Sequence, residues 1–294
     1  MHLPLKQEHG GQRFGPKNHR LYRIATSPED LPNDVVEWIR ATTEDARYMF
    51  ARIPWTEGAT ELFQALRPYM RRLKSRAQGS MPTAKLLQAI FFNTLSRLAS
   101  FDKEVLRYPL HAHCGARGQR ELTQALLFLS HASRSRLSRI AVDAFSDPDE
   151  RSYWMAQMSG AYAVTKTAFA FHGLGAQVWG STTHEDVGGK IDLIATSPRW
   201  RAGICLTISS QLETHGRLLD DRSVTPDVRD FWNGVQRFGA MYLDRPWLAV
   251  VLNIKRRGAQ DHDLRQRTLQ SVIEQVVRGV ERPLPEDERL ATPA

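Results

Sequence analysis

The stretch Gly189-Lys190-Ile191-Asp192-Leu193-Ile194-Ala195 (GKIDLIA) and the run Ile204-Cys205-Leu206-Thr207-Ile208 (ICLTI) decide how this chain folds. Each is a short apolar run of strand character, and the first carries an acidic side chain just after a glycine-containing turn. Strand alternation places residues 205 and 207 on one face of the second run.

Outward from this pair the order of elements becomes readable. Residues 150–172 are small and apolar enough for a buried helix ending at His172-Gly173, where glycine suits a left-handed cap. Strands are expected at 176–179, 190–195 and 202–208. A helix over 226–243 follows, with Val228, Phe231, Val235, Phe238 and Tyr242 on one stripe. Trp247 to Ile254 is almost continuously apolar, the pattern of a strand buried inside a sheet. A last helix covers 263–280. Helix, three strands, helix, strand, helix predicts an α/β domain over 148–281 around a central mixed four-stranded sheet.

Upstream the period is helical throughout. Asn33-Asp34 precedes one helix; Pro82-Thr83 opens a second, with Leu86, Leu87, Ile90, Phe91, Leu95 and Leu98 at amphipathic spacing; a third is expected over 119–145. Residues 31–147 therefore form an all-helical domain. Residues 1–30 read as a flexible basic arm and 282–294 as a disordered tail, which makes the whole chain α+β in its broad division.

The 294 residues, 41% of them hydrophobic, suffice for one or two cores. No window approaches eighteen consecutive apolar residues, so no membrane span is expected. Two cysteines far apart, Cys114 and Cys205, form no disulfide framework, and the default expectation is the cytoplasm. The net charge of +8, carried largely by arginine, suits a polyanionic partner, with nucleic acid, DNA in particular, the first candidate. There is no GxxxxGK[ST] loop and no GxSxG elbow, which sets nucleotide hydrolysis and serine hydrolysis aside.

The order of elements, with Asp192 entering a strand after a turn, resembles the restriction-endonuclease-like, or PD-(D/E)xK, nuclease superfamily over roughly residues 150–255. The resemblance implies an aspartate on the second strand, an acid or glutamine and a lysine on the third, and often a glutamate on the first helix. Carboxylates hold Mg²⁺ there because it prefers hard oxygen ligands, and the lysine stabilises charge at the phosphodiester. Asp192 matches the family aspartate and is the metal-ligand candidate. Cys205 stands in place of the acid and Thr207 in place of the lysine, while Ala161 and Tyr162 occupy the helix where a glutamate is expected. A rearranged centre would draw charge from Lys190 and carboxylates from Glu185 and Asp186.

Other groups offer less. His111-Ala112-His113-Cys114 has zinc-type ligands but no second ligand pair, so a polar loop is expected there. Basic clusters at Arg71, Arg72 and Lys74, at Arg134, Arg136 and Arg139, and at Lys255, Arg256 and Arg257 are candidates for phosphate contact. Three functions remain open: a nucleic-acid-binding or -processing protein with a degenerate centre; an active Mg²⁺-dependent endonuclease rearranged around Asp192; or an assembly module that binds a protein partner through exposed aromatics such as Trp38 and Trp55.

Overall fold

The computed structural model describes residues 13–17, 19–53, 55, 58–103, 105, 110–211, 215–255 and 262–281. Among the described residues six α-helices build the first half: α1 (Val35–Phe50), α2 (Ala59–Ala65), α3 (Arg67–Arg76), α4 (Met81–Phe101), α5 (Leu110–Phe128) and α6 (His131–Ala144). The Ser80 hydroxyl caps α4 by accepting the Thr83 N–H, and Pro82 stands in the first turn, where its missing donor costs nothing. The amphipathic spacing predicted for α4 gives way to burial on nearly every side. Lys85, Asn93 and Ser96 face α5, where Lys85 pairs with Glu121, Asn93 abuts Gly118 and the Ser96 hydroxyl donates to His111 O (2.8 Å).

Close approach explains that interface. A Cβ on Gly118 would lie 2.1 Å from Asn93 Oδ1 and 3.2 Å from the Asn93 backbone nitrogen, so only glycine lets the two backbones come this near. The single helix expected over 119–145 is two. It breaks at Leu129-Ser130, where the Ser130 side chain caps α6 through the Ser133 N–H (3.1 Å). The incoming chain bonds across the break, Glu29 N–H to Phe128 O (2.9 Å) and Ser130 N–H to Glu29 O (2.8 Å).

Helix α7 (Pro148–Gly173) joins the halves. Trp154, Met158 and Ala161 lie in the core of the helical half, whereas Val164, Ala168 and Phe171 lie against the sheet. A boundary at 148 therefore cuts through packing that the helix makes in both directions.

The strands are β1 (Arg20–Leu21), β2 (Gln177–Gly180), β3 (Leu193–Thr196), β4 (Gly203–Gln211), β5 (His215–Leu218) and β6 (Trp247–Lys255), in the spatial order β1-β2-β3-β4-β6-β5. Neighbours are antiparallel except for β4 and β6, which run parallel. The expected four-stranded sheet is thus six-stranded, extended at each edge. Helices α7 and α10 (His262–Glu281) cover one face, with Leu193, Ile204, Leu206, Val250 and Leu252 against Leu269 and Ile273. Helix α9 (Arg229–Met241) covers the other, with Ile194, Cys205 and Ala249 against Phe231, Val235 and Phe238. Burial on both faces is why β6 reads as one apolar run.

Residues 13–30, expected as part of a flexible arm, are structured from Arg13 onward where described. Arg20 and Leu21 pair with Gly180 and Trp179, Tyr22 and His19 are buried, and the Phe14 ring meets Trp179 at 5.4 Å and Trp247 at 4.9 Å. A two-residue strand has no period to read. The aromatics proposed as an exposed partner surface are not one: Trp55 is buried with its indole N–H on Phe50 O (3.0 Å), and Trp38 packs partly buried on the helical core. Residues 1–12 of the arm and the tail 282–294 lie outside the described residues. No described helix is long and apolar enough to cross a membrane.

Candidate functional site

Between β2 and β3 the chain makes a short helix, α8 (Thr183–Gly189), where the sequence suggests only a polar turn. Thr182-x-x-Glu185 is a capping box: the Thr182 hydroxyl accepts the Glu185 N–H (3.2 Å), and Glu185 Oε2 accepts the Thr182 N–H (2.8 Å). Glu185 also accepts from His19 Nε2 at 2.9 Å. The carboxylate expected to assist Asp192 is thereby committed to holding the start of α8 and the buried His19. Thr182→Ala should cost about 1 kcal/mol by loss of the cap, read as a lowered urea midpoint at unchanged slope.

Helix α8 ends on Lys190, which is not on a strand face as expected. It takes the left-handed conformation (φ 52°, ψ 31°) at the position where glycine usually ends a helix. The Lys190 N–H bonds to Asp186 O (2.9 Å) and the Ile191 N–H to Glu185 O (3.3 Å). A lysine held in this disfavoured region keeps its exposed ammonium near both Asp186 and Asp192, whose ionisation it favours.

Asp192 precedes β3 and is tied to β4 from both ends. Its own N–H donates to Leu206 O (2.8 Å), and its Oδ2 accepts from the Ile208 N–H (2.6 Å) and the Thr207 hydroxyl (3.4 Å). Thr207, which stands in place of a lysine, is thus a neutral partner of the aspartate. Cys205 points into the α9 core beside Ile194 and Ala249, and burial drives its thiol well above the ordinary range. It is no substitute for an acid ligand.

Burial pushes the Asp192 carboxyl upward, the Asp186 charge adds to that rise, and the Ile208 and Thr207 hydrogen bonds and Lys190 only partly offset it. Asp186 is raised by burial as well, against the charges of Lys190 and Arg120. The site that forms is therefore a carboxylate pair, Asp186 and Asp192, with Lys190 from the turn and Arg120 from α5 beside it. Among the described residues there is no group of three His, Cys, Asp or Glu side chains placed to hold a metal ion.

Arg120 is the residue sequence reading overlooked. Its Nη1 donates to Ser181 O (3.2 Å), which brings α5 of the helical half to the mouth of the β2–α8 turn. The available signal was Arg117-Gly118-Gln119-Arg120-Glu121, three charges inside an otherwise well-buried helix.

The other candidates are placed as follows. His111, His113 and Cys114 lie in the first turns of α5 rather than in a loop, with Cys114 fully buried and its thiol pushed up to about 12 by that burial. Ala161 is core, the Tyr162 hydroxyl donates to Arg134 O, and Glu150 pairs with Arg47 (2.5 Å) and Arg97 (3.2 Å). Arg71, Arg72 and Lys74 are exposed along α3, and Arg136 and Arg139 along α6. Arg134 is half-buried, its guanidinium 5.2 Å from the Phe169 ring and donating to Leu126 O (3.4 Å), so it serves packing first. Arg256, Arg257 and the side chain of Lys255 lie outside the described residues. No family model matches the chain, and comparison with curated proteins and with solved structures yields no significant match.

Proposed function

We propose that this is a nucleic-acid-binding or -processing protein built on a restriction-endonuclease-like frame, with a centre reduced to Asp186 and Asp192. The observation that carries this reading is the placement of Asp192, held by the Ile208 N–H (2.6 Å) at the entry to β3, next to α8 with its Asp186 and Lys190 and to Arg120 on Ser181 O (3.2 Å). Supporting it are the element order α7-β2-α8-β3-β4-β5-α9-β6, which keeps helix, three strands, helix and strand once the inserted α8 and edge strand β5 are set aside, the mixed pairing of β2, β3, β4 and β6, and the net charge of +8. The residues fit Mg²⁺ in the sense that a hard cation keeps several waters and needs only one or two carboxylates with substrate phosphate. One Asp192 oxygen is already occupied by the Ile208 N–H, which leaves that fit thin. Bound there, the cation would polarise a phosphodiester. For the chain's own part, Asp192 and Asp186 supply carboxyl oxygens that a cation would keep ionised against their burial, Lys190 supplies the ammonium that Thr207 cannot, and Arg120 would face phosphate.

A second reading, a Mg²⁺-dependent endonuclease rearranged around Asp192, is favoured by the mutual repulsion of the two carboxylates, which a cation would relieve. Binding and cleavage of plasmid and single-stranded DNA, with and without Mg²⁺, separate the readings. Salt-sensitive binding without cleavage supports the binding platform. Cleavage lost in Asp192→Asn supports the endonuclease. Neither binding nor cleavage would leave an assembly module.

The carboxylate pair also has a pH signature. A carboxyl whose folded value is raised binds its proton more tightly in the native state, so its contribution is favourable below the unfolded carboxylate range and is lost as pH rises through the folded value. Asp192→Asn should therefore raise the melting temperature at pH 8 by about 2–4 °C relative to wild type, with the gain shrinking toward pH 4. An equal effect at both pH values would show that the aspartate is not held up by burial and by Asp186.

A further inference from the structure

Four cationic side chains converge where α4 and α5 meet the start of the sheet: Lys85, Arg117, Arg120 and, from β1, the exposed Arg20. Among the described side chains they face a single fully buried carboxylate, Glu121, which takes Lys85 Nζ on Oε2 and has Arg117 Nε 2.8 Å from Oε1. Glu121 thus already lies against Arg117 as its ion-pair partner, leaving the outer edge of that guanidinium, part-exposed, to a second anion. Arg120 Nε is screened from water without a partner. Burial opposes the charge of Arg117 most, Glu121 favours it, and Arg120 and Arg20 oppose it further. Desolvated guanidinium N–H groups that repel one another are costly unless an anion completes them.

We propose that Arg117 and Arg120 of α5, together with Arg20 of β1, form a phosphate seat that holds the backbone of a nucleic-acid strand beside the Asp186–Asp192 pair. This rests on the nucleic-acid reading above. Residues 117 and 120 share a helix face at a spacing of three, and the planar fork of arginine matches phosphate oxygens. Arg20 opens the seat to solvent, and Arg120 links it to Asp186 through their mutual attraction. The ligand on this geometry is a phosphodiester at the acid pair. The seat lies where α5 packs on α8 beside the β1–β2 edge of the sheet.

The test measures affinity of the full chain for labelled single- and double-stranded oligonucleotides over a range of salt concentration. Arg20→Gln and Arg120→Gln should each weaken binding about tenfold and lower the slope of log affinity against log salt by about 0.9 on duplex and about 0.7 on single strands. Arg120→Lys should keep the slope. Arg20 is exposed, so its variant reports even if Arg120→Gln fails to fold. Wild-type binding whose slope survives both glutamine variants overturns the seat and leaves the nucleic-acid reading standing. No salt-sensitive binding by wild type overturns both. Inorganic phosphate binding that needs Arg20 and Arg120, without oligonucleotide binding, overturns the phosphodiester assignment in favour of a free phosphate.

Discussion

Replacing Glu121 by alanine is expected to lower stability by about 3–5 kcal/mol. The carboxylate is fully buried in the α4–α5 seam, and the charges of Arg117, Lys85 and Arg120 hold it ionised against the burial that would protonate it. Lys85 also donates to Gln88 Oε1 (3.1 Å), but that amide cannot neutralise an ammonium. Removing Glu121 leaves two cations in a seam with no other carboxylate paired to them among the described residues, whereas removing the exposed partner of the Glu44–Arg47 pair should change stability by less than about 1 kcal/mol. Urea unfolding of Glu121→Ala and Glu44→Ala measures both. Comparable losses in the two would show that the seam is wet and the ion pair ordinary.

Gly234→Ala is expected to cost about 3 kcal/mol, although alanine is the better helix former by about 1 kcal/mol. A Cβ at 234 would sit 2.4 Å from both the Cα and the carbonyl oxygen of Gly189. These are backbone atoms, so no side chain can swing away, and α8 and α9 would have to separate. The reverse substitution is milder in geometry, because a Cβ on Gly189 meets Gly234 Cα at 3.2 Å. Gly189→Ala should therefore lose less than half as much. Because α8 carries Asp186 and ends on Lys190, Gly234→Ala should also weaken any Mg²⁺-dependent thermal stabilisation that wild type shows. Equal losses for the two glycines would mean that the helices slide rather than part.

What could be read from the sequence followed the strength of each local signal. The apolar run of β6, the stripe of α9 and the order around GKIDLIA and ICLTI are periodic, and their elements stand within a few residues of expectation. Helix α8 was hidden because Thr182-x-x-Glu185 looks like any polar turn until the reciprocal cap is seen. The break between α5 and α6 depends on Glu29, a hundred residues upstream, and no local pattern carries that. Of the candidate site, Asp192, Asp186 and Lys190 were legible as charges close in sequence. The left-handed backbone of Lys190 and the diversion of Glu185 to His19 were not, since both depend on distant partners. Arg117 and Arg120 were missed because arginine inside a helix reads as a solvated face, and only the arrival of α5 at Ser181 makes it otherwise.

Helix α7 has a consequence for how the molecule comes apart. One continuous rod supplies Trp154 and Met158 to one interior and Phe171 to the other. Melting either interior strips apolar cover from the other end of the same rod, so the two halves share one cooperative fate. The packing of α5 on α8, where the arginines meet the aspartates, is correspondingly a fixed feature of the fold, set by a common axle.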